Sequence, residues 1–320
     1  MKNKLKILVT GCCGFLGSHM VDFLLKNGHK VVGIDNLSTG NKKFIINALK
    51  DKNFKFYKLD LLKKKFEHLF EKVNTVFHFS ANADVRYGLK HRNKDIQQNI
   101  IVTYRVLEAM KKKKVKKIVF SSSGSVYGEP NQFPTKETCN FPIQTSLYGA
   151  SKISAESLIQ AYCEGYNFKS YIFRFVSLLG ERYSHGHVFD FTKQLIKNEK
   201  KLIILGNGKQ TKSYLNVKDC IEAMWISIKY FKKKVNIINL GTNEFCTIKE
   251  SAKWISKNMN LKPKFYFLGG KRGWIGDSPF IYLGTRKILS TGWKPKFTIK
   301  ESVKITSDFL MSNKWLLKRK

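Results

Sequence analysis

In the stretch SLYGASKIS, Tyr148 and Lys152 stand four positions apart. Residues at i and i+4 share one face of a helix, so a helix here sets an ammonium beside a phenol. A phenol with its ordinary pKa of about 10 is a poor base near neutrality, and a neighbouring positive charge lowers that pKa. Tyrosine then becomes usable as a general base. Upstream, KKIVFSSSGSVYG leaves an apolar run through Ser121, Ser122 and Ser123. In isolation, YxxxK in so lysine-rich a chain is an ordinary surface pair; its weight depends on where it falls in the order of elements.

A second cluster precedes it. VTGCCGFLGSHM places Gly11, Gly14 and Gly17 directly after the apolar run LKILVT, ahead of a helical stripe of Met20, Val21, Leu24 and Leu25. Glycines between a first strand and a first helix let backbone approach a pyrophosphate, whose charge the amides of the helix start, including Phe15 and Leu16, can meet. The spacing is G-x-x-G-x-x-G rather than G-x-G-x-x-G, and alone it is a weak signal. Asp35 sharpens it. With Asn36 behind it, this carboxylate ends KVVGID 18 residues after Gly17, where it can accept hydrogen bonds from adenosine ribose hydroxyls and repel a 2′-phosphate. NAD is therefore expected over NADP, and its positive nicotinamide would join Lys152 in stabilising a tyrosinate.

These residues need strand ends to hold them. KVVGID (30–35), FKFYKLD (54–60), NTVFHFS (74–80) and KKIVFSSS (116–123) read as strands two to five, with a helix from about Asp95 to Lys111 carrying Ile96, Ile100, Tyr104, Leu107 and Met110. Strands alternating with helices imply an α/β fold with a doubly wound parallel sheet, all strand C-termini along one ligand-binding edge. Residues 1–170 are expected to form the dinucleotide-binding Rossmann domain. Residues 171–320 form mainly a smaller C-terminal substrate domain, whose strands YIFRF (171–175), KLIIL (201–205) and VNIINL (235–240) partly complete the sheet.

Composition excludes several classes. The chain has 320 residues, 42% of them apolar, enough for a substantial core. No apolar run approaches the roughly 18 residues that cross a bilayer, and the glycines come too early for a signal peptide, so a cytoplasmic protein without membrane association is expected. The net charge of +36 is almost all lysine, spread over apparent solvent faces. Sequence-reading nucleic-acid sites favour arginine forks, so no specific nucleic-acid partner is expected, although such a surface attracts polyanions. Six cysteines without CxxC suit neither a disulfide framework nor zinc, and His185-x-His187 lacks a third ligand in sight, so no metal site is expected.

Taken in order, the glycine loop, DNLSTG (35–40), LDL (59–61), HFSANADV (78–85), QNIIVT (98–103), SSSGSVYG and YGASK resemble the extended branch of the short-chain dehydrogenase/reductase superfamily, specifically its NAD-dependent sugar-nucleotide epimerases and dehydratases. FRFVSLLGER, GNGKQTKSYLNVKD and GWKPKFTIKESV carry the likeness to the far end of the chain. The resemblance implies that Asp60 and Leu61 flank the adenine. It sets Phe79, Ser80 and Ala81 at the nicotinamide-side ribose and pyrophosphate, Asn99 in the catalytic neighbourhood, and Ser121, Tyr148 and Lys152 against the cofactor.

Within this family the dehydratases and decarboxylases typically carry an acid in the strand-end motif, where this chain has Ser125 after Gly124. Dehydration needs an acid and base beyond the tyrosine, so the match to S-S-S-x-[ST]-V-Y-G favours 4-epimerisation. Tyr148 would take the 4-hydroxyl proton, Ser123 would hydrogen-bond the C4 oxygen, and Lys152 would hold the nicotinamide ribose. In the substrate half, Ser177 replaces a common asparagine, Lys212 and Ser213 replace an arginine and aspartate, and Arg272 lies five residues before Asp277 rather than three. Ser177, Lys212 and Arg272 remain the candidate nucleotide-sugar contacts. Likeness to archaeal-type UDP-glucose 4-epimerases, which share H-G-x-x-x-D-F and R-G-W-x-G-D, implies a UDP-hexose. Relatives commonly pair through the helices near Asp95–Lys111 and Tyr148–Tyr162, which implies a homodimer. A dehydratase, decarboxylase or reductase of the same fold, or a non-catalytic polyanion binder, are the competing readings.

Overall fold

A computed structural model describes residues 4–91, 93–140, 143–273 and 280–318. Contacts divide the chain into two compact units, 1–128 with 142–174 and 224–238, and 129–141 with 175–223 and 239–320. The chain leaves the first unit at 129–141, before Tyr148, and returns to it at 224–238.

The first unit is built on a sheet. Strands β1 (Lys6–Thr10), β2 (Lys30–Asp35), β3 (Phe54–Lys58), β4 (Thr75–His78), β5 (Lys117–Ser121), β6 (Lys169–Phe175) and, further along the chain, β11 (Val235–Leu240) form it in the order β11-β6-β5-β4-β1-β2-β3. Every pairing from β3 across to β6 is parallel. The order reverses between β1 and β4, and the register sets Thr10 beside His78 and His78 beside Phe120. The C-terminal ends of β1, β4 and β5 therefore meet at the topological switch point, where doubly wound sheets bind ligands. Helices α1 (Phe15–Lys26) and α2 (Val85–Lys90) belong to this unit, as does α5 (Leu147–Tyr166). Short α3 (Asn93–Asp95), a π-helical turn over Ile96–Ile101 and α4 (Val102–Lys112) follow one another without a break. Leu8, Val76, Ile118 and Phe120 of the sheet pack with Val106, Met110 and Ile159 of α4 and α5.

The π turn changes the helix face. Leu107 and Met110 are fully buried, but Ile96 and Tyr104, placed on the same apolar stripe by α-helical spacing, are 52% and 46% exposed. A π turn bonds i to i+5 and shifts the phase of everything before it, so a stripe counted at 3.6 residues per turn cannot carry Ile96 across it; Tyr104 follows the turn and sits on the outer face of α4 itself.

The second unit holds β7 (Ser177–Leu179), α6 (His187–Lys197), β8 (Lys201–Ile204), β9 (Thr211–Lys212) and β10 (Tyr214–Asn216). After α7 (Val217–Tyr230), which begins in it, and β11 come β12 (Cys246–Thr247), α8 (Ile248–Asn258), β13 (Lys264–Phe267), α9 (Arg286–Leu289) and α10 (Ile299–Ser312). Capping boxes at Thr247/Glu250 and Thr298/Glu301 start α8 and α10. KLIIL, expected in the main sheet, is β8 and pairs with β13 instead. Its burial alternates, Leu202 and Ile204 in and Lys201 and Ile203 out, whereas central strands such as β4 are buried on both faces. Among the described residues no helix is long and apolar enough to cross a membrane.

Candidate active site

The glycine loop is shaped first by its own chain. A β-carbon at Gly17 would overlap the Gly11 carbonyl oxygen, and one at Gly11, where φ is +69°, would stand 2.9 Å from the Phe79 carbonyl carbon and the Ser80 nitrogen. These two glycines are thus required by close backbone packing, not by a ligand alone. Gly14 differs: its β-carbon would meet only the Gly11 oxygen, at 3.2 Å. Gly14 is the N-cap of α1, offers the first-turn amides no side-chain acceptor, and is followed by no acidic residue in that turn. A helix start of this kind suits an anionic group.

Asp35, at the end of β2, is 7% exposed and accepts from the Cys13 amide (2.9 Å) and the Leu37 amide (2.7 Å). Burial raises its pKa while those two bonds lower it. Each carboxylate oxygen has a second lone pair left for a ribose hydroxyl, so the donor set fits an adenosine ribose. Asn36 turns back to accept from the Ser38 amide (3.0 Å), and Asp60 accepts from the Leu62 amide (2.9 Å). Leu61, assigned to the adenine, is 5% exposed and packed in the core. Cys12, Cys13 and Asp35 bring ligand-type atoms together. Burial, the largest effect, holds the Cys12 thiol well above its ordinary pKa, which keeps it from the thiolate form a metal needs, so we assign no metal to them.

At the end of β4, the Phe79 and Ser80 amides donate to Thr10 Oγ1 (3.1 and 3.2 Å), and Phe79, Ser80 and Ala81 are each half-buried. Asn99 lies within the π turn, 1% exposed. Its Oδ1 accepts from the Asn82 amide (2.8 Å), and its Nδ2 donates to Ser151 Oγ (2.8 Å), which donates to the Tyr148 carbonyl (2.8 Å). Asp95, also buried, accepts from Asn82 Nδ2 (2.8 Å).

Helix α5 starts at Ser146, whose hydroxyl accepts from the Gly149 amide, and it delivers Tyr148 and Lys152 on one face. Lys152 is 2% exposed; its Nζ donates to the Ser121 carbonyl oxygen (2.9 Å) and lies 5.9 Å from the centroid of the Tyr148 ring. Ser123 hydrogen-bonds Tyr148, donates to Ser125 Oγ (3.1 Å) and accepts from the Ser125 amide (3.1 Å). The expected lowering of the tyrosine pKa is not what the protein alone produces. Burial pushes Tyr148 up to about 12, with the Ser123 hydrogen bond acting in the opposite direction. Burial likewise holds Lys152 down to about 8, against the pull of Glu156 and Asp95. Both groups sit where ionisation is suppressed, and added positive charge is what would shift the tyrosine.

A buried pair behind this strand end was not anticipated. Glu156, fully buried one turn after Lys152, forms an ion pair with Arg174 (2.6 Å) and accepts a short hydrogen bond from Ser122. Arg174 also donates to the Tyr127 hydroxyl (2.9 Å). Glu156 lies four residues after Lys152 on the same helix, a spacing that could have marked it.

In the second unit, Ser177 opens β7 and is exposed, and Lys212 lies in β9 opposite Cys246. Arg272 is paired with Glu129 (2.5 Å), so an anionic ligand there would have to displace a carboxylate. Asp277, the other half of that motif, lies outside the described residues. His187 has its Nε2 with Ser251 Oγ (2.8 Å) and its Nδ1 with the Tyr214 hydroxyl (3.2 Å), while His185 stacks on Tyr183. His187 is itself half-buried, and both of its ring nitrogens are engaged within the protein.

Comparison with known proteins points the same way. The model of the NAD dependent epimerase/dehydratase family matches residues 7–241. A Methanocaldococcus jannaschii protein provisionally named UDP-glucose 4-epimerase is 34% identical over 315 residues, covering 96% of this chain and 99% of that protein. The solved UDP-glucuronic acid 4-epimerase of Bacillus cereus, in complex with UDP-glucuronic acid and NAD, is 28% identical with a TM-score of 0.89, over 96% of this chain and 99% of that one. For the Thermotoga maritima UDP-glucose 4-epimerase with UDP-glucose, the values are 29% and 0.87, over 97% and 99%.

Proposed function

The chain belongs to the NAD dependent epimerase/dehydratase family, and from that premise we propose that it inverts C4 of a UDP-hexose through a 4-keto sugar. It is an isomerase of the UDP-sugar 4-epimerase kind, and its cofactor is NAD. The reading is carried by one observation: Ser123, Tyr148 and Lys152 converge at the end of β5, on the sheet edge where the glycine loop leaves β1.

The first-turn amides at Gly14, Phe15 and Leu16 would hold the pyrophosphate, Asp35 the adenosine ribose, and Lys152 with Ser121 the nicotinamide side. Bound NAD supplies an acceptor for the C4 hydride and returns it. The chain's own part is proton handling and orientation. Tyr148 Oη takes the 4-hydroxyl proton as the carbonyl forms and gives it back after the sugar has presented its other face. Ser123 Oγ, pinned by the Ser125 amide, would swing its proton from Ser125 Oγ to the C4 oxygen in both half-reactions. Burial keeps water from the phenol. Ser177, Lys212 and Arg272 would meet the UDP end, Lys212 as a point charge and Arg272 as a fork once freed from Glu129.

A panel of UDP-glucose, UDP-galactose and their N-acetyl and uronic forms, incubated without added cofactor and separated by chromatography, tests the proposal. Interconversion of one C4 pair is expected, with NAD released on denaturation. A 4-keto-6-deoxy product would support the dehydratase reading instead, and no conversion of any member would overturn the assignment.

A further inference from the structure

His78 is fully buried at the end of β4, and the mechanism above gives it no role. Donor and acceptor accounting fixes its state. Thr10 Oγ1 receives the Ser80 amide (3.2 Å) and shares the Phe79 amide (3.1 Å) with the Thr10 carbonyl oxygen (3.2 Å). Its own proton is free to point at His78 Nδ1, 2.7 Å away. On the other side of the ring, Nε2 lies 3.0 Å from Thr103 Oγ1, and that hydroxyl donates to the Asn99 carbonyl oxygen (2.6 Å). Nε2 must therefore carry the hydrogen. A proton on Nδ1 instead would leave Nε2 as a bare acceptor facing a Thr103 hydroxyl whose one proton is already committed to the Asn99 carbonyl oxygen.

We infer that His78, as the neutral Nε2–H tautomer, is a positioning residue that ties the loop after β4 to the π turn carrying Asn99. The chain of bonds is continuous. It runs from the Phe79 and Ser80 amides through Thr10, His78 and Thr103 to the Asn99 carbonyl. The Asn99 side chain then reaches Ser151, and Ser151 reaches the Tyr148 carbonyl. A π turn is a local departure from helix geometry and needs outside support to hold its register. Histidine suits the task because a rigid ring presents an acceptor and a donor on opposite sides, which no amide or hydroxyl side chain does. Burial, with the Lys152 charge acting the same way, holds the ring down to about 3, so the tautomer persists through the working range. The link to Tyr148 rests on the proposed epimerase reading; the tautomer does not.

The test has two arms. In the full-length chain labelled with 15N-histidine, the His78 signals, assigned among the seven histidines by their loss in His78→Phe, are expected to show the Nε2–H pattern without titration between about pH 5 and 9. An Nδ1–H pattern, or a midpoint within that range, overturns the accounting whether or not any sugar is turned over. In the second arm, His78→Phe and Thr103→Val each break the chain at one bond. Both are expected to lower kcat, on the order of 10²-fold at most, with KM within about threefold, because a displaced Tyr148 misplaces the base without removing a substrate contact. Should His78→Phe fail to fold, Thr103→Val, which leaves the ring in place, carries this arm alone. Unchanged kcat in Thr103→Val, or a rise in KM that accounts for the whole loss, overturns the positioning role.

Discussion

The Lys152 ammonium lies 5.9 Å from the centroid of the Tyr148 ring, yet it donates its hydrogen bond to the Ser121 carbonyl oxygen, 2.9 Å away. Any action of the lysine on the phenol must therefore run through space rather than through a bond. With burial pushing Tyr148 up to about 12, the protein alone disfavours the phenolate near neutrality, and a base there needs added positive charge. Lys152→Met removes one such charge, and the pH at which kcat rises is expected to move upward relative to wild type. Tyr148→Phe removes the base and is expected to cost several orders of magnitude while leaving NAD bound. A rate profile for Lys152→Met that overlays wild type would show that the lysine has no electrostatic role.

Stability should carry the same signature. Lys152 is depressed from 10.5 to about 8 on folding, so between those values the unfolded chain binds a proton that the folded chain does not. Unfolding free energy from this group therefore rises as pH climbs from about 8 to 10.5 and is lowest below 8, where the folded chain must bury the charge. Denaturant titrations of the cofactor-free chain across that window should show a rising increment in wild type that Lys152→Met lacks.

The two kinds of glycine in the loop should separate experimentally. Gly17→Ala drives a β-carbon into the Gly11 carbonyl, which is backbone and cannot swing away, so a loss of at least about 1–3 kcal/mol is expected. Gly14→Ala meets the same oxygen at 3.2 Å and should fold, but it crowds the amides at the start of α1. Thermal melts should fall for Gly17→Ala, whereas NAD content after purification should fall for Gly14→Ala at near-normal melting temperature. Equal thermal loss in both would remove the distinction.

Behind the catalytic strand, Glu156→Gln leaves the Arg174 guanidinium buried without its carboxylate, which costs about 3–5 kcal/mol. Replacing both, as Glu156→Leu with Arg174→Met, removes the unpaired charge along with the pair and should recover much of that loss. Chemical denaturation of the three proteins checks the order; a double variant no more stable than Glu156→Gln would show that shape rather than charge governs the site.

What could be read from residue order, and what could not, follows from range. The strands, the glycine loop and the Tyr148–Lys152 face depend on periodicities of a few residues, and so did their placement on one sheet edge. The π turn over Ile96–Ile101 is invisible at that range, because IQQNII has the composition of any amphipathic helix; the phase slip shows only in the exposure of Ile96 against the burial of Leu107. The reason for Gly17 lies in the Gly11 oxygen, a packing fact that spacing does not contain. The partners of His78 are 68 and 25 residues away, and that of Arg174 is 18 away, distances over which pattern carries no signal. Half-buried β8 looked like a sheet strand because four apolar residues in a row do not reveal that alternate ones face water.

The exposed side of the helix pair in the first unit points to a second copy of the chain. Ile96, Ile101 and Tyr104 on the π turn and α4 are 52%, 41% and 46% exposed, and Leu147 at the start of α5 is 47% exposed. Ile96 is turned outward by the π turn, and Tyr104 stands on the outer face of α4, away from the core that holds Leu107 and Met110. Clustered apolar exposure on paired helices is characteristic of an association face. The opposing force is charge: each copy carries +36, and like-charged copies repel over a Debye length of about 10 Å at 0.1 M salt, shrinking to about 3 Å at 1 M. A homodimer formed through α4 and α5 should therefore strengthen with added salt, the reverse of an assembly held by ion pairs. Sedimentation velocity over a salt series is expected to show the dimer fraction rising with ionic strength. Ile101→Glu and Tyr104→Glu should both shift it to monomer without lowering the melting temperature of the monomer. A monomer at every salt concentration would sink the proposal, and a dimer that dissociates as salt rises would place the interface elsewhere, on charged surface.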